Sequence, residues 1–393
     1  MDNEETNTGY SIRNVFIREY VLTFLAFFSF LAASHALTPT IPIYLKRLGT
    51  IEGEIGLLVG VFGIASLLSR FIAGSLLRRY PEKLVMLWGA ILFILCYLTL
   101  ILFKPFWPFF ITRAFHGFAF ACLDTAAISY VIRITPLEHR PRAISYLLVA
   151  SPLSSAFVAS ASVFVLNEYS FTFLLLGCTA LSVCALLFCL KLRSEKTTRR
   201  IEKPAAGSGL FFEPKILAPA LLSFMFSFSW GGLGAFFPLY AIKCGVKNPG
   251  HFFTAMAIVL IVARLTGGKI LDTYSKEKVI PIVILTSMTA LLILAFSTTL
   301  PMFIFVGMLW GIGGGFLPPV SMAYALEYAG SSDGTAVGTY QAFMDLGFGL
   351  GPAIMGMIIP LTGYPVMFLC LACVCFVNVC YFQFYLRKGR RVA

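Results

Sequence analysis

Charge is scarce in this chain. Only 12% of its 393 residues are Asp, Glu, Lys or Arg, just 18 of them are acidic, and His occurs four times. A soluble protein covers its exterior with polar side chains, and this sequence cannot supply enough of them. Catalytic motifs are missing as well. There is no HExxH helix for a zinc, no GxSxG elbow for a serine nucleophile and no carboxylate cluster for a metal. The stretch "RLTGGKI", residues 264–270, lacks the first glycine of a Walker A loop and its closing Ser or Thr. These absences argue against an enzyme and against an ATP-driven pump, and no cofactor is expected. The ten cysteines lie mostly in apolar runs without His at ligand spacing, so Cys370, Cys373 and Cys375 read as packing. No alternating strand pattern supports a β-barrel.

What the chain does have is apolar length. Its residues are 59% hydrophobic and its mean hydropathy is +0.87. Runs of about 20 apolar residues, each enough to cross a bilayer as a helix, recur from end to end. Twelve are counted, near 20–45, 54–77, 84–103, 106–132, 143–166, 170–190, 214–242, 250–271, 279–298, 301–326, 334–360 and 363–386. The first is too long for a cleaved signal peptide and follows a polar segment.

The net charge of +12 is unevenly placed. Basic residues crowd alternate loops: Arg78, Arg79 and Lys83, then Arg133, Arg140 and Arg142, then the stretch from Lys191 to Lys203, then Lys269, Lys276 and Lys278, then Arg387 to Arg391. The intervening loops hold Lys46, Arg47, Lys104, Lys243 and Lys247. This is the positive-inside pattern, so the charge sets topology and does not point to nucleic acid. It places both termini and the central loop on the cytoplasmic side of a multi-pass membrane protein.

The stretch "KLRSEKTTRRIEKPAAGSG" from Lys191 is charged and then Pro/Gly/Ser-rich, a linker composition. It divides the chain into a bundle over 1–190, a cytoplasmic linker over 191–212 and a second bundle over 213–393. A shift of 194 positions maps Arg70 onto Arg264, Gly74 onto Gly268, Gly117 onto Gly311 and Tyr146 onto Tyr340. The expected fold is an all-α membrane protein of twelve transmembrane helices, arranged as two pseudo-symmetric six-helix bundles in parallel repeat.

Three elements carry a family resemblance. After span 2 the chain keeps Gly74, Leu76, Arg79 and Lys83 of a G-x-L-x-D-R-x-G-R-K loop, but has Arg78 for the Asp and Pro81 for the second Gly. After span 8 a copy keeps Gly268, Ile270 and Asp272, followed by Lys276 and Lys278. Span 4 reads "RAFHGFAFA", with Arg113 and Gly117 in an R-x-x-x-G element, and span 11 reads "GFGLGPAIMG". In these the chain resembles the major facilitator superfamily, and within it bacterial efflux permeases of the sugar-efflux or multidrug type. It departs from drug–proton antiporters in span 5, where the usual G-x-x-x-G-P is absent and Ser151-Pro152 stand alone.

The resemblance implies a secondary transporter of a small polar or amphiphilic molecule, working by alternating access as proton-coupled export. A lipid or glycolipid flippase, or a proton-coupled importer, of the same fold is the alternative. Expected partners are the substrate, protons and the bilayer, and the expected state is a monomer. Spans 1, 4, 7 and 10 would line the central path. Arg113 would match the span 4 arginine associated with proton coupling.

Ionisable groups inside a span are expensive and are functional candidates by default. Arg113 and Asp124 share one face of span 4, but roughly 16 Å apart along the axis, too far to pair. His116 and Cys122 flank them. A carboxylate in an apolar span needs a proton or a cation beside it, which suits Asp124 as a proton carrier. His35 lies mid-span just before Pro39 and Pro42. Asp345, with Gln341 a turn earlier, makes a polar face in span 11 that can take a proton, a cationic group or an Arg from another span. Trp230 is the aromatic expected to touch substrate. Gly311 to Gly315 with Pro318-Pro319, and Gly231-Gly232 with Pro238, read as hinges and close-contact surfaces. Arg70 and Arg264 read as structural, bonding carbonyls or loop carboxylates. The reversed charge at Arg78 suggests a conformational latch. Arg78 would pair with Asp333 or Glu327 before span 11, and Asp272 would meet the start of span 5 near Arg142; Gly74, Arg79 and Gly268 belong to the same latch loops.

Overall fold

The computed structural model describes residues 18–103, 106–194, 214–329 and 334–387. They form helices throughout and, among the described residues, no strand. The first half contains α1 (Arg18–Arg47), α2 (Glu52–Arg79), α3 (Glu82–Leu102), α4 (Phe106–Ile134), α5 (Arg140–Leu148), α6 (Ala150–Glu168) and α7 (Phe171–Leu190). The second contains α8 (Pro214–Lys243), α9 (Gly250–Thr273), α10 (Lys276–Phe296), α11 (Leu300–Ala329), α12 (Gly334–Thr362) and α13 (Tyr364–Tyr381). Helices α5 and α6 together make the fifth span. Among the described residues eleven spans are long and apolar enough to cross a membrane, and the described apolar part of α9 is Gly250–Thr266. The fold is a multi-pass bundle of two six-helix halves.

Lipid offers no water to free backbone groups, so each carbonyl must find a partner inside the protein. The break between α5 and α6 shows how. Pro152 has no N–H to give the Leu148 carbonyl, and the helix interrupts at Val149. Arg264 Nη1, arriving from α9 of the other half, donates to that carbonyl at 2.8 Å. Both ends of α7 are capped by side chains. Ser170 accepts from the Phe173 N–H at 3.0 Å at the start of α7. Lys83 donates to the carbonyls of Leu190 and Leu192 at its end, where a cation also suits the helix dipole.

The repeat is visible in the packing. In lipid, helices associate through close van der Waals contact, so small residues mark the seams. Gly117 of α4 lies against the Phe62 carbonyl of α2, and its equivalent Gly311 of α11 lies against the Met256 carbonyl of α9, with no room for a Cβ at either. Phe62 and Met256 are themselves related by the same shift.

The halves meet along α2 with α12 and along α6 with α9. Gly56, Gly60 and Gly63 lie directly on the α12 backbone at Pro352, Gly349 and Asp345. At the other joint Gly250, the repeat mate of Gly56, presses on Ala159 and Ser160 of α6. Asn248 Nδ2 donates to the Ser160 carbonyl at 3.1 Å, and Thr254 Oγ1 to the Ala156 carbonyl at 3.1 Å. The hydroxyl of Tyr364 donates to Glu52 Oε1 at 3.0 Å across the same end. This close contact does not continue to the other end of α2 and α12. A Cβ on Gly74 or Gly338 would meet nothing within 4 Å. The joint is tight at the Gly56/Gly356 end and loose at the Gly74/Gly338 end.

Candidate functional site

Helix α4 carries two polar levels that do not meet. At the first, Arg113 is buried against α2. Its Nη1 donates to His116 Nδ1 at 2.8 Å, its Nε to the Leu58 carbonyl at 3.4 Å, and its guanidinium lies 4.7 Å from the Phe62 ring centroid. A guanidinium can only donate, so Nδ1 accepts and the His116 proton sits on Nε2. Phe62, Phe93 and Tyr97 surround that ring, with centroids at 5.5, 4.1 and 5.0 Å. His116 Nε2 and the Tyr97 hydroxyl have no hydrogen-bond partner from the protein. In this state Arg113 ties α4 to α2 inside the first half.

At the second level the outcome differs from the sequence expectation. Arg70 does not bond carbonyls or loop carboxylates. It sits between two intramembrane aspartates, one from each half. Its Nη1 donates to Asp124 Oδ2 of α4 at 3.0 Å. Its Nε and Nη2 grip Asp345 of α12 side-on, the Nη2–Oδ1 distance being 3.3 Å. Ser66 adds a hydroxyl donor to Asp345 Oδ2 at 3.2 Å. The three side chains are 11–17% exposed, so water screens them little. Shape explains the choice of arginine, since its planar fork serves two carboxylates at once. With all three ionised the triad carries one surplus negative charge. A lone aspartate at a helix centre costs about 2.5–3.5 kcal/mol on insertion scales, so the grouping is electrostatically required.

The triad lies where the tight joint ends. Gly56, Gly60 and Gly63 lead along α2 to Ser66 and Arg70, the next turns of the same face. Sequence reasoning had Asp124 and Asp345 as candidates but missed Arg70. The available signal was charge balance: two intramembrane acids need a cation, and Arg113 was out of reach of Asp124.

The remaining candidates are dispersed. His35 of α1 meets Ser154 of α6 at 2.8 Å, and Ser154 in turn donates to the Ser151 carbonyl at 2.8 Å, which places the His35 proton on Nδ1. Gln341 is half-buried one turn before Asp345. Trp230 of α8 stacks on Trp310 of α11 at 6.0 Å, and Trp310 on Phe226 at 5.5 Å, forming an aromatic slab in the second half. Of the latch residues, Arg78 Nη2 donates to Ser75 at 3.0 Å within its own helix. Glu327 pairs with Lys276. Arg79 is exposed, and Arg142 Nε donates to the Tyr146 hydroxyl at 2.9 Å. Asp333 lies outside the described residues, and so do the surroundings of Gly268 and the side chain of Asp272. Among the described residues no group of three or more metal-binding side chains is found.

A repeated helical bundle with ionisable groups buried at the joint of its halves has the build of a membrane transporter. The sequence profile of the Major Facilitator Superfamily matches residues 22–263 and 248–392, and the chain belongs to that family. It is 26% identical over 373 residues to the staphylopine export protein of Staphylococcus aureus (strain Mu50 / ATCC 700699), covering 90% of this chain and 91% of that one. It is 24% identical over 352 residues to multidrug resistance protein 1 of Bacillus subtilis (strain 168), covering 84% and 86%. Among solved structures, the nucleoside transporter NupG aligns with a TM-score of 0.75 at 16% identity, over 94% of this chain and 100% of that one. The human organic anion transporter MFSD10 aligns with a TM-score of 0.70 at 15% identity, over 94% and 99%. These last two speak for the fold alone.

Proposed function

We propose that this protein exports a small polar or amphiphilic metabolite from a bacterial cell in exchange for protons. The observation that carries the reading is the uneven joint. The halves are sealed at one end, loose at the other, and share buried carboxylates where the seal stops. That is the arrangement expected of an alternating-access carrier closed on one side. The basic loops fall at the loose end, beside Arg78, Arg79, Arg133 and Arg142. By the positive-inside rule the loose end then faces the cytoplasm of the inner membrane, with both termini on that side. Export is favoured by the relatives, two of which are named for export and for multidrug resistance. Substrate would enter between the halves from the cytoplasm, toward the slab at Trp230.

Untargeted mass spectrometry of the growth medium, with and without the protein, tests this. A compound that accumulates outside only when the protein is present supports export and gives the substrate class. A compound that vanishes from the medium makes the protein an importer. No change in soluble compounds, with altered lipid sidedness, makes it a lipid flippase.

A further inference from the structure

We propose that Asp345 is the binding site of the coupling proton, and that its proton is what allows α2 and α12 to part. The inference rests on the proton-coupled transport reading above. When the halves separate, Arg70 and Asp124 leave together, because both belong to the first half. They form a neutral pair at 3.0 Å. Asp345 leaves alone with the second half. Its surroundings there supply no replacement cation among the described residues. Helix α8, which packs along α12, has no titratable side chain between Lys215 and Tyr240. Helix α11 offers Tyr324, Glu327 and Tyr328, and Glu327 is engaged by Lys276. Helix α13 offers tyrosines and cysteines, and α12 itself adds Tyr340, bonded to Ser321 and the Pro318 carbonyl. From α2 the facing groups are Ser66 and Arg70, and from α4 Asp124.

A bare carboxylate at this depth is costly, and a protonated one is not. Parting is therefore linked to the uptake of one proton by Asp345. The reverse step, closing on Arg70, expels that proton. Without a proton the ionic grip holds the empty carrier shut, which limits futile cycling. Asp124 acts differently. It stays with Arg70, so that the first half is never left with a bare cation.

The linkage has a measurable slope. While Asp345 is ionised when closed and protonated when parted, the ratio of parted to closed molecules rises about tenfold per pH unit of acidification. Hydrogen exchange of the full-length protein in lipid nanodiscs, corrected for the intrinsic pH dependence of exchange, reads this at residues 52–63 and 349–360. Wild type should exchange faster there as pH falls. Asp345→Asn should exchange fast at every pH, with no slope. Asp345→Glu should keep the slope. Asp124→Asn should do the opposite of Asp345→Asn and exchange more slowly than wild type, because parting would then strand Arg70. A simple structural brace would loosen equally in both Asn variants, and that result overturns the proposal. So does a flat wild-type response, or a slope that survives in Asp345→Asn. If Asp345→Asn does not fold, Asp345→Glu and Asp124→Asn still decide. The measurement needs no substrate, so its failure leaves the export reading to the medium comparison.

Discussion

Replacing Arg264 by Met should destabilise the protein, and replacing Pro152 by Ala should remove most of that cost. The structure gives the reason. Pro152 deprives the Leu148 carbonyl of its helical donor, and Arg264 Nη1 takes that place from the other half at 2.8 Å. A carbonyl left unpaired in an apolar setting costs about 1–3 kcal/mol, so Arg264→Met should cost about 2 kcal/mol. In a Pro152→Ala background the N–H of residue 152 returns to the Leu148 carbonyl and α5 can run into α6. The same Arg264→Met change should then cost under about 1 kcal/mol, a coupling of about 1–2 kcal/mol. Each half has the size of a domain for which 1 kcal/mol shifts the midpoint by roughly 2–4 °C. Four proteins, melted in the same nanodiscs, complete the cycle. Hydrogen exchange over residues 146–153 reports whether the helix has become continuous. Equal losses from Arg264→Met in both backgrounds would refute the reasoning, because the arginine would then be stabilising something other than the Leu148 carbonyl.

Three further outcomes are expected. Gly60→Ala has no space for its Cβ against the Gly349 carbonyl and should cost about 1–3 kcal/mol and open the tight end, whereas a Cβ at position 74 meets nothing within 4 Å and Gly74→Ala should shift stability by under about 0.5 kcal/mol; equal melting shifts would contradict the uneven joint. Arg78→Asp should abolish export and Asp333→Arg should restore it, while wild-type export by Arg78→Ala would end the latch hypothesis. Trp230→Ala removes one face of the slab on Trp310 and should raise the apparent KM for the exported compound about tenfold, equivalent to about 1.4 kcal/mol, with the pH response intact; an unchanged KM would make Trp230 packing only.

The spans were legible because membrane helices announce themselves by length. Residues 54–77 and 334–360 were read within a few positions of Glu52–Arg79 and Gly334–Thr362. The interruption at Val149 was not read, although Pro152 was noted, because a proline's effect depends on which neighbour takes up the freed carbonyl. Faces were harder still. Hydropathy marks a span but not the side of it that meets another helix, and α2 gave little contrast between its faces. So Arg70 was assigned by symmetry with Arg264, and its two aspartates were assigned separately from it.

That symmetry failed for a specific reason. The repeat carries the arginine to both halves but not its surroundings. The shift that takes Arg70 to Arg264 takes Asp345 back to Ser151, and Asp124 forward to Pro318. One joint is therefore ionic, and the other is held by hydroxyls, amides, the His251 imidazole on Ser160 at 3.1 Å and one arginine on a carbonyl. Parting the α6–α9 joint exposes Ser160, Asn248, Thr254 and the His251 ring, groups that water can serve. It also frees Arg264, whose charge no proton can neutralise at physiological pH. Parting the α2–α12 joint frees a carboxylate, which a proton can neutralise. Since rigid halves cannot open one joint without moving the other, the whole motion carries the proton dependence of the ionic joint. On the proposal made for Asp345, moving an aspartate to position 151 in place of Ser151 would give Arg264 its own carboxylate. The exchange response should then steepen from one proton toward two, to about a hundredfold per pH unit. A slope still near tenfold would mean that the α6–α9 joint can part without neutralising its charge, and that the two joints are not equivalent gates.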